Sequence, residues 1–188
     1  MLDIIIPSYN EPRVNETARI CNELFPEALV IVVRDWSGQG KGHSIDRGLK
    51  QVRGHDIICF IDGDMDIHPR MIKRLLPFME DYDIAVGAKA IGNLTFRRKL
   101  ITILSRIYIK IMFNTDVDSQ TGIKVFKASA IPEWKDKGFM FDIEILCKAK
   151  RRGARIIEVP IEAVISKEKG LKVLWLALIG SIKIWFRL

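Results

Sequence analysis

Short apolar runs alternate with amphipathic stretches along this chain. Leu2 to Ile6, Ala28 to Val33, Ile57 to Ile61 and Ile84 to Ala88 are rich in β-branched residues and read as buried strands. Between them, Ala18, Cys21 and Leu24 fall at helical spacing, which predicts a helix over 15–24 with Asn15 as its cap. A second helix follows the glycine-rich stretch Trp36 to Ser44 and runs to about Val52. A third opens at Pro69, with Met71, Ile72, Leu75, Leu76 and Met79 on its apolar face. Strand alternating with helix predicts an α/β domain: a mostly parallel central sheet with helices on both faces, three layers in all. Thr121 to Lys127 is a further strand candidate, and Phe139 to Arg151 a helix ended by Gly153. Ile156 to Ile165 reads as a strand near an edge, because it contains Pro160.

Two segments break the pattern. Over 97–113 nearly everything is apolar except one narrow face bearing Arg98, Thr102, Ser105 and Arg106. Over 171–188, Lys172, Lys183 and Arg187 form one stripe, while Trp175, Leu178, Ile182, Trp185 and Phe186 cover the rest. Such helices lie in a membrane interface or pack on a protein body. Residues 1–165 therefore read as one domain, and 166–188 as a basic loop with an amphipathic helix packed on the domain or on a membrane. No uninterrupted apolar run reaches the ~20 residues of a bilayer span, and the N-terminus lacks a secretory pattern.

Composition narrows the class. A 48% hydrophobic and 28% charged chain is not disordered. The net charge of +7 suits an anionic partner: nucleotide, lipid headgroup or nucleic acid. Cys21, Cys59 and Cys147 are far apart in sequence and read as reduced core thiols, which fits a cytoplasmic setting.

The chemistry concentrates where the strand Ile57 to Ile61 ends in Asp62, Asp64 and Asp66. Burying unpaired carboxylates is costly, so these acids at a strand mouth either bind a cation or form an ordinary acidic turn. A set of hard oxygens favours Mg²⁺ or Mn²⁺, with substrate phosphate and water completing the shell. The glycine stretch fits neither a P-loop nor a dinucleotide fingerprint. Lys41, at the start of the following helix, can still receive an anion.

Several pieces then fall in one order: Pro7-Ser8-Tyr9-Asn10-Glu11, Asp35-Trp36-Ser37, Gly40-Lys41-Gly42, Asp62-Gly63-Asp64, Asp118-Ser119-Gln120-Thr121-Gly122, and Phe139 to Ile161. This order resembles the family 2 glycosyltransferases of GT-A (Rossmann-like) fold, closest to the polyprenyl-phosphate or dolichyl-phosphate sugar transferases. The resemblance implies that Pro7, Tyr9, Asn10, Glu11, Asp35, Lys41, Asp62 and Gly63 bind the nucleotide. Asp62 and Asp64 resemble a DxD pair, with Asp66 as a further metal ligand. Lys89, Arg98, Thr102, Lys167, Lys169 and Lys172 would meet acceptor and donor phosphates, and Asp64, Arg98 and Gln120 would carry the chemistry. Two departures stand out. Arg34 replaces an acid usual before Asp35, and some thirty residues usual between Ser37 and Gly40 are missing, so the nucleotide-binding half is trimmed.

The implied reaction inverts the anomeric centre. It moves a hexose from a nucleotide diphosphate sugar, of GDP-mannose or UDP-glucose type, to a polyprenyl or dolichyl phosphate at the cytoplasmic face of a membrane. A sugar hydroxyl as acceptor would need a base, for which Asp116 and Asp118 are the candidates. Nucleotidyl transfer usually places a Gly-rich, Arg-bearing loop after the first strand, which Pro7 to Glu11 is not. A nucleic-acid module would interleave its basic residues with aromatic platforms, and none is visible here.

Overall fold

A computed structural model describes residues 1–89, 107–108, 110–113, 121–138, 140–164 and 185. Six described strands form one sheet: β1 (Leu2–Ser8), β2 (Leu29–Arg34), β3 (Ile57–Ile61), β4 (Ile84–Lys89), β5 (Ile123–Lys127) and β6 (Ile156–Ile161). Their order is β2-β1-β3-β5-β4-β6. β1 runs parallel to β2 and β3, and β4 parallel to β6. β5 is antiparallel to both β3 and β4. Four helices are described from end to end: α1 (Val14–Leu24), α2 (Lys41–Leu49), α3 (Ile72–Leu75) and α4 (Phe141–Arg151).

Period-two alternation divides the core. Ile4 and Ile6 of β1, Cys59 and Ile61 of β3, and Ile123 and Val125 of β5 pack on one face with Val14, Met71, Ile72 and Leu75. Ile5, Ile58, Phe60 and Phe126 point to the other, against Ile45, Phe141, Ile145 and Leu146. Full burial of each such side chain contributes about 1.5–3 kcal/mol. Phe126 and Phe141 both pack against Phe60, at centroid separations of 4.8 and 6.2 Å. All three cysteines are buried and free, and burial pushes the thiols of Cys21 and Cys147 up to about 12.

Several local expectations are corrected. Asn15 does not cap α1; the N-cap is Arg13, without a side-chain cap bond, and Asn15 instead accepts from Arg34 Nη2 at 2.6 Å. The helix expected from Pro69 is broken: 3₁₀ turns Pro69–Met71 and Leu76–Met79 flank α3. Pro77 explains the second turn, since it has no N–H to continue the α ladder. α2 ends at Leu49 rather than near Val52, and β6 at Ile161 rather than Ile165. Among the described strands, the one bearing Pro160 does lie at the edge. His55 Nδ1 sits 2.9 Å from Oδ1 of the fully buried Asp3, though without hydrogen-bond geometry.

The expected helix over 97–113 is described only at 107–108 and 110–113, which are helical, and the helix over 171–188 only at Trp185. Among the described residues, no helix is long and apolar enough to cross a membrane.

β1 is the pivot of this topology. From β1 the chain passes through α1 to β2 on one side, then through α2 to β3 on the other. Open α/β sheets bind ligands at such a reversal, outside the carboxyl ends of the strands.

Candidate functional site

A cleft of about 410 Å³ opens at that reversal. β1 contributes Pro7 and Ser8, and its following loop Tyr9 and Glu11. Asp35, Gly38 and Gly40 come from the turn after β2, Lys41 and Ser44 from α2, and Asp62, Gly63 and Asp64 from the end of β3. A smaller pocket of about 200 Å³ beside it is lined by Asn10, Pro12, Arg34 and Trp36, among others. Trp36 is 78% exposed and stands 5.9 Å from the Arg34 guanidinium.

Pairing and turn chemistry place the acids. Asp62 follows the last β3 residue, and its N–H donates to the Gly122 carbonyl at 2.8 Å. Gly122 is required by close approach: a Cβ there would lie 2.3 Å from Asp62 Oδ2. The Gly63 carbonyl is held by Thr17 Oγ1 of α1 at 3.0 Å. Asp64 Oδ1 accepts from the Asp66 N–H at 3.0 Å, and Met65 between them takes a left-handed φ of 61°. The Asp66 carbonyl accepts from the Val164 N–H at 2.8 Å, which ties this turn to the chain after β6.

The two leading acids differ in their surroundings. Asp64 is held above the usual carboxylate range by burial, and Asp62, Asp66 and Glu11 add to the effect against one backbone hydrogen bond. Negative charge crowded on one carboxyl calls for a cation. Asp62 already has one, since Lys41 Nζ lies 2.8 Å from its Oδ1. Among the described residues, no group of three or more His, Cys, Asp or Glu side chains converges closely enough to hold a metal alone. A donor set of one or two carboxylates is nevertheless what Mg²⁺ uses when phosphate and water supply the rest.

Lys41 is doubly engaged. Its ammonium also lies 3.1 Å from Asp142 Oδ2, in the first turn of α4. Asp142 Oδ1 in turn pairs with Lys124 Nζ of β5 at 2.7 Å, and Lys124 donates to the Thr121 carbonyl at 2.6 Å. Burial pulls the Lys41 ammonium down, but Asp142 and Asp62 outweigh it and hold its pKa above the ordinary lysine range. Burial dominates at Lys124, whose pKa is lowered. Asp142 sits below the usual range, because Lys124 and Lys41 overcome the effect of burial.

The sequence reading passed over Lys124 and Asp142. A signal was present: a lysine between Ile123 and Val125 in a strand, and an aspartate between Phe141 and Ile143 in a helix. Asp35 lines the cleft, but it is 4% exposed and its carboxylate is committed to its own turn. Its Oδ2 accepts from the Gly40 N–H at 2.7 Å and its Oδ1 from Ser37 Oγ at 3.4 Å. Gly40, with φ 102°, lies so close to the Lys137 carbonyl that a Cβ would sit 2.4 Å from it. Glu144 is fully buried and structural: its carboxylate accepts from the N–H groups of Lys135 and Asp136. Trp134 packs edge-on against Phe141 and donates to the Gly42 carbonyl at 3.2 Å.

The structure thus gathers Pro7, Tyr9, Glu11, Asp35, Lys41, Asp62, Gly63 and Asp64 around one cleft. Asn10 lines the adjoining pocket, and Asp66 lies in the turn below. Lys89 closes β4 by its backbone, but its side chain is outside the described residues. Arg98, Thr102, Asp116, Asp118, Gln120, Lys167, Lys169 and Lys172 also lie outside them.

Residues 13–130 match the family model described as glycosyl transferase family 2. The chain is 26% identical, over 85% of its length and 82% of the relative's, to an undecaprenyl-phosphate mannosyltransferase of Micrococcus luteus. It is 22% identical, over 89% and 80%, to a polyprenol monophosphomannose synthase of Mycolicibacterium smegmatis. Among solved structures it is similar to glucosyl-3-phosphoglycerate synthase from Mycobacterium tuberculosis in complex with Mn²⁺, UDP-glucose and phosphoglyceric acid. The TM-score is 0.75 at 15% identity, covering 100% of this chain and 79% of that one. That likeness gives the GT-A fold, and the matched family gives the rest: the chain belongs to glycosyl transferase family 2 and is a glycosyltransferase.

Proposed function

We propose that this enzyme transfers a hexose from a nucleoside diphosphate sugar to a polyprenyl phosphate, with a divalent cation, at a membrane surface. The observation that carries the reading is Asp64. It lies in the cleft at the sheet's topological reversal, crowded by Asp62, Asp66 and Glu11 and in need of positive charge. Asp64, with Asp62 or Asp66, would hold Mg²⁺ or Mn²⁺, which when bound neutralises charge building on the leaving diphosphate. The relatives named for undecaprenyl phosphate and polyprenol support the lipid acceptor, and the Mn²⁺ and UDP-glucose in the similar synthase support the donor class and the metal.

The chain's own residues do the positioning. Pro7, Tyr9 and Glu11 form the wall over the nucleotide, and Lys41 stands beneath the diphosphate. The turn after β2 is short and Asp35 is spent inside it. The base therefore rests against the exposed Trp36 and Tyr9 rather than on the Asp35 carboxylate. A phosphate acceptor is already ionised near neutral pH and needs no general base. Fixing donor and acceptor in line supplies much of the rate. Arg98, Thr102, Gln120 and the lysines of 167–172 are the residues proposed to meet the acceptor.

A thermal-shift panel of nucleoside diphosphate sugars, with and without Mn²⁺, tests the reading on wild type and Asp64→Ala. One donor stabilising wild type only with Mn²⁺, and Asp64→Ala not at all, is expected. Stabilisation independent of both metal and Asp64 would overturn the metal assignment.

A further inference from the structure

Lys124, Asp142, Lys41 and Asp62 form a chain of alternating charge, with successive contacts of 2.7, 3.1 and 2.8 Å. Its inner end is deep in the protein. Lys124 is 1% exposed and lies in register with Phe60 of β3 and Val86 of β4. Asp142 is 5% exposed. Its outer end, Asp62, lines the cleft beside Asp64. Two buried ions are costly to desolvate, and an apolar pair of similar volume would often be as stable or more so. Simple stability therefore does not account for a lysine and an aspartate at these positions.

We infer that Lys124 and Asp142 are positioning residues that set the charge Asp62 presents to the cleft, by holding Lys41 between two carboxylates. As built, the four groups sum to zero. Without the charge of Asp142, Lys41 belongs to Asp62 alone and the chain carries one net positive charge. The cleft then resists a divalent cation and favours phosphate. Without the charge of Lys124, Asp142 keeps only Lys41 and draws it away from Asp62. The chain is then net negative, Asp62 is released, and the cation is favoured. The two removals act in opposite directions, whereas damage to packing would act in one.

This rests on the cleft being a metal and diphosphate site, so the test uses those two probes separately. Isothermal titration of the full chain with Mn²⁺ alone, and with inorganic pyrophosphate in metal-free buffer, compares wild type with Asp142→Asn and Lys124→Met. Asp142→Asn is expected to weaken Mn²⁺ and tighten pyrophosphate, each by roughly three- to tenfold, and Lys124→Met to do the reverse. The double variant restores zero net charge and is expected to bind Mn²⁺ within about twofold of wild type. If a single variant fails to fold, the double variant decides: near-wild-type affinity supports the inference, and lost affinity overturns it. Shifts of both single variants in the same direction, or no shift in either, overturn the inference while leaving the proposed function standing. Wild type that binds neither probe overturns both.

Discussion

Asp64 is asked to be an anion where the fold makes anions expensive. Its carboxyl is raised by burial and by three neighbouring acids, so the folded state binds its proton more tightly than the unfolded chain does. Above its folded pKa, Asp64 therefore subtracts from stability. Asp64→Asn is expected to raise Tm at pH 7 in metal-free buffer, while lowering sugar transfer by about 10²-fold or more, as losing one charge-stabilising group does elsewhere. Calorimetry and a transfer assay on the same preparation check both halves; an unchanged or lower Tm would show that the acids do not repel. Asp62 differs in having a cation beside it, with Lys41 Nζ 2.8 Å from its Oδ1. The alternation of Asp62, Asp64 and Asp66 announced a site, but the sequence could not separate these two roles. The distinction depends on Lys41 and Asp142, 21 and 80 residues away in the chain.

At the scale of elements, strands were the more legible part. β2, β3 and β4 match their β-branched runs within a residue at each end, and β1 runs two residues past its own to Ser8, because strands buried on both faces read as continuous apolar segments. Helices were less so. The stretch from Pro69 to Met79 has a helical apolar face, yet Pro77 divides it into short pieces. α2 holds its place through a glycine. Gly48 packs so closely on β1 that a Cβ would lie 2.5 Å from Ile5 Cγ2. Gly48→Ala is expected to destabilise by about 1–3 kcal/mol in urea unfolding, although alanine is the better helix former, because overpacking outweighs propensity. A stabilising result would mean that α2 can lift from the sheet, and with it Lys41. The antiparallel sense of β5 was hidden as well. An apolar run carries no direction, and the strand-helix alternation favoured parallel pairing throughout.

For the molecule as a whole, charge sets the acid limit of stability. Asp83 is held below the usual carboxylate range, chiefly by the Arg155 N–H at 2.8 Å and then by Lys127. Asp142 lies below it too. Groups depressed in the fold contribute stability that is fully present above the unfolded value near 3.9 and is lost as pH falls through the folded value. The urea midpoint is therefore expected to hold from pH 7 to about 5 and to fall below about pH 4, with Asp83→Asn flattening part of that fall. Asp64 works against the trend, since its protonation relieves repulsion, but it is one group against several, because Asp35 and Glu144 are held below the usual range too.

The place of β5 also has a consequence for synthesis on the ribosome. β1, β2 and β3 are complete once Ile61 has emerged, but β3 pairs on its far side only with β5, which ends at Lys127. At the usual 5–20 residues per second, that edge stays open for roughly 3–13 s. During that interval Cys59, Phe60 and Ile61 offer an apolar template to any other extended chain. The strand that finally closes the seam also delivers Lys124, so the growing chain covers an open apolar edge and sets in place the lysine that Asp142 of α4 then joins.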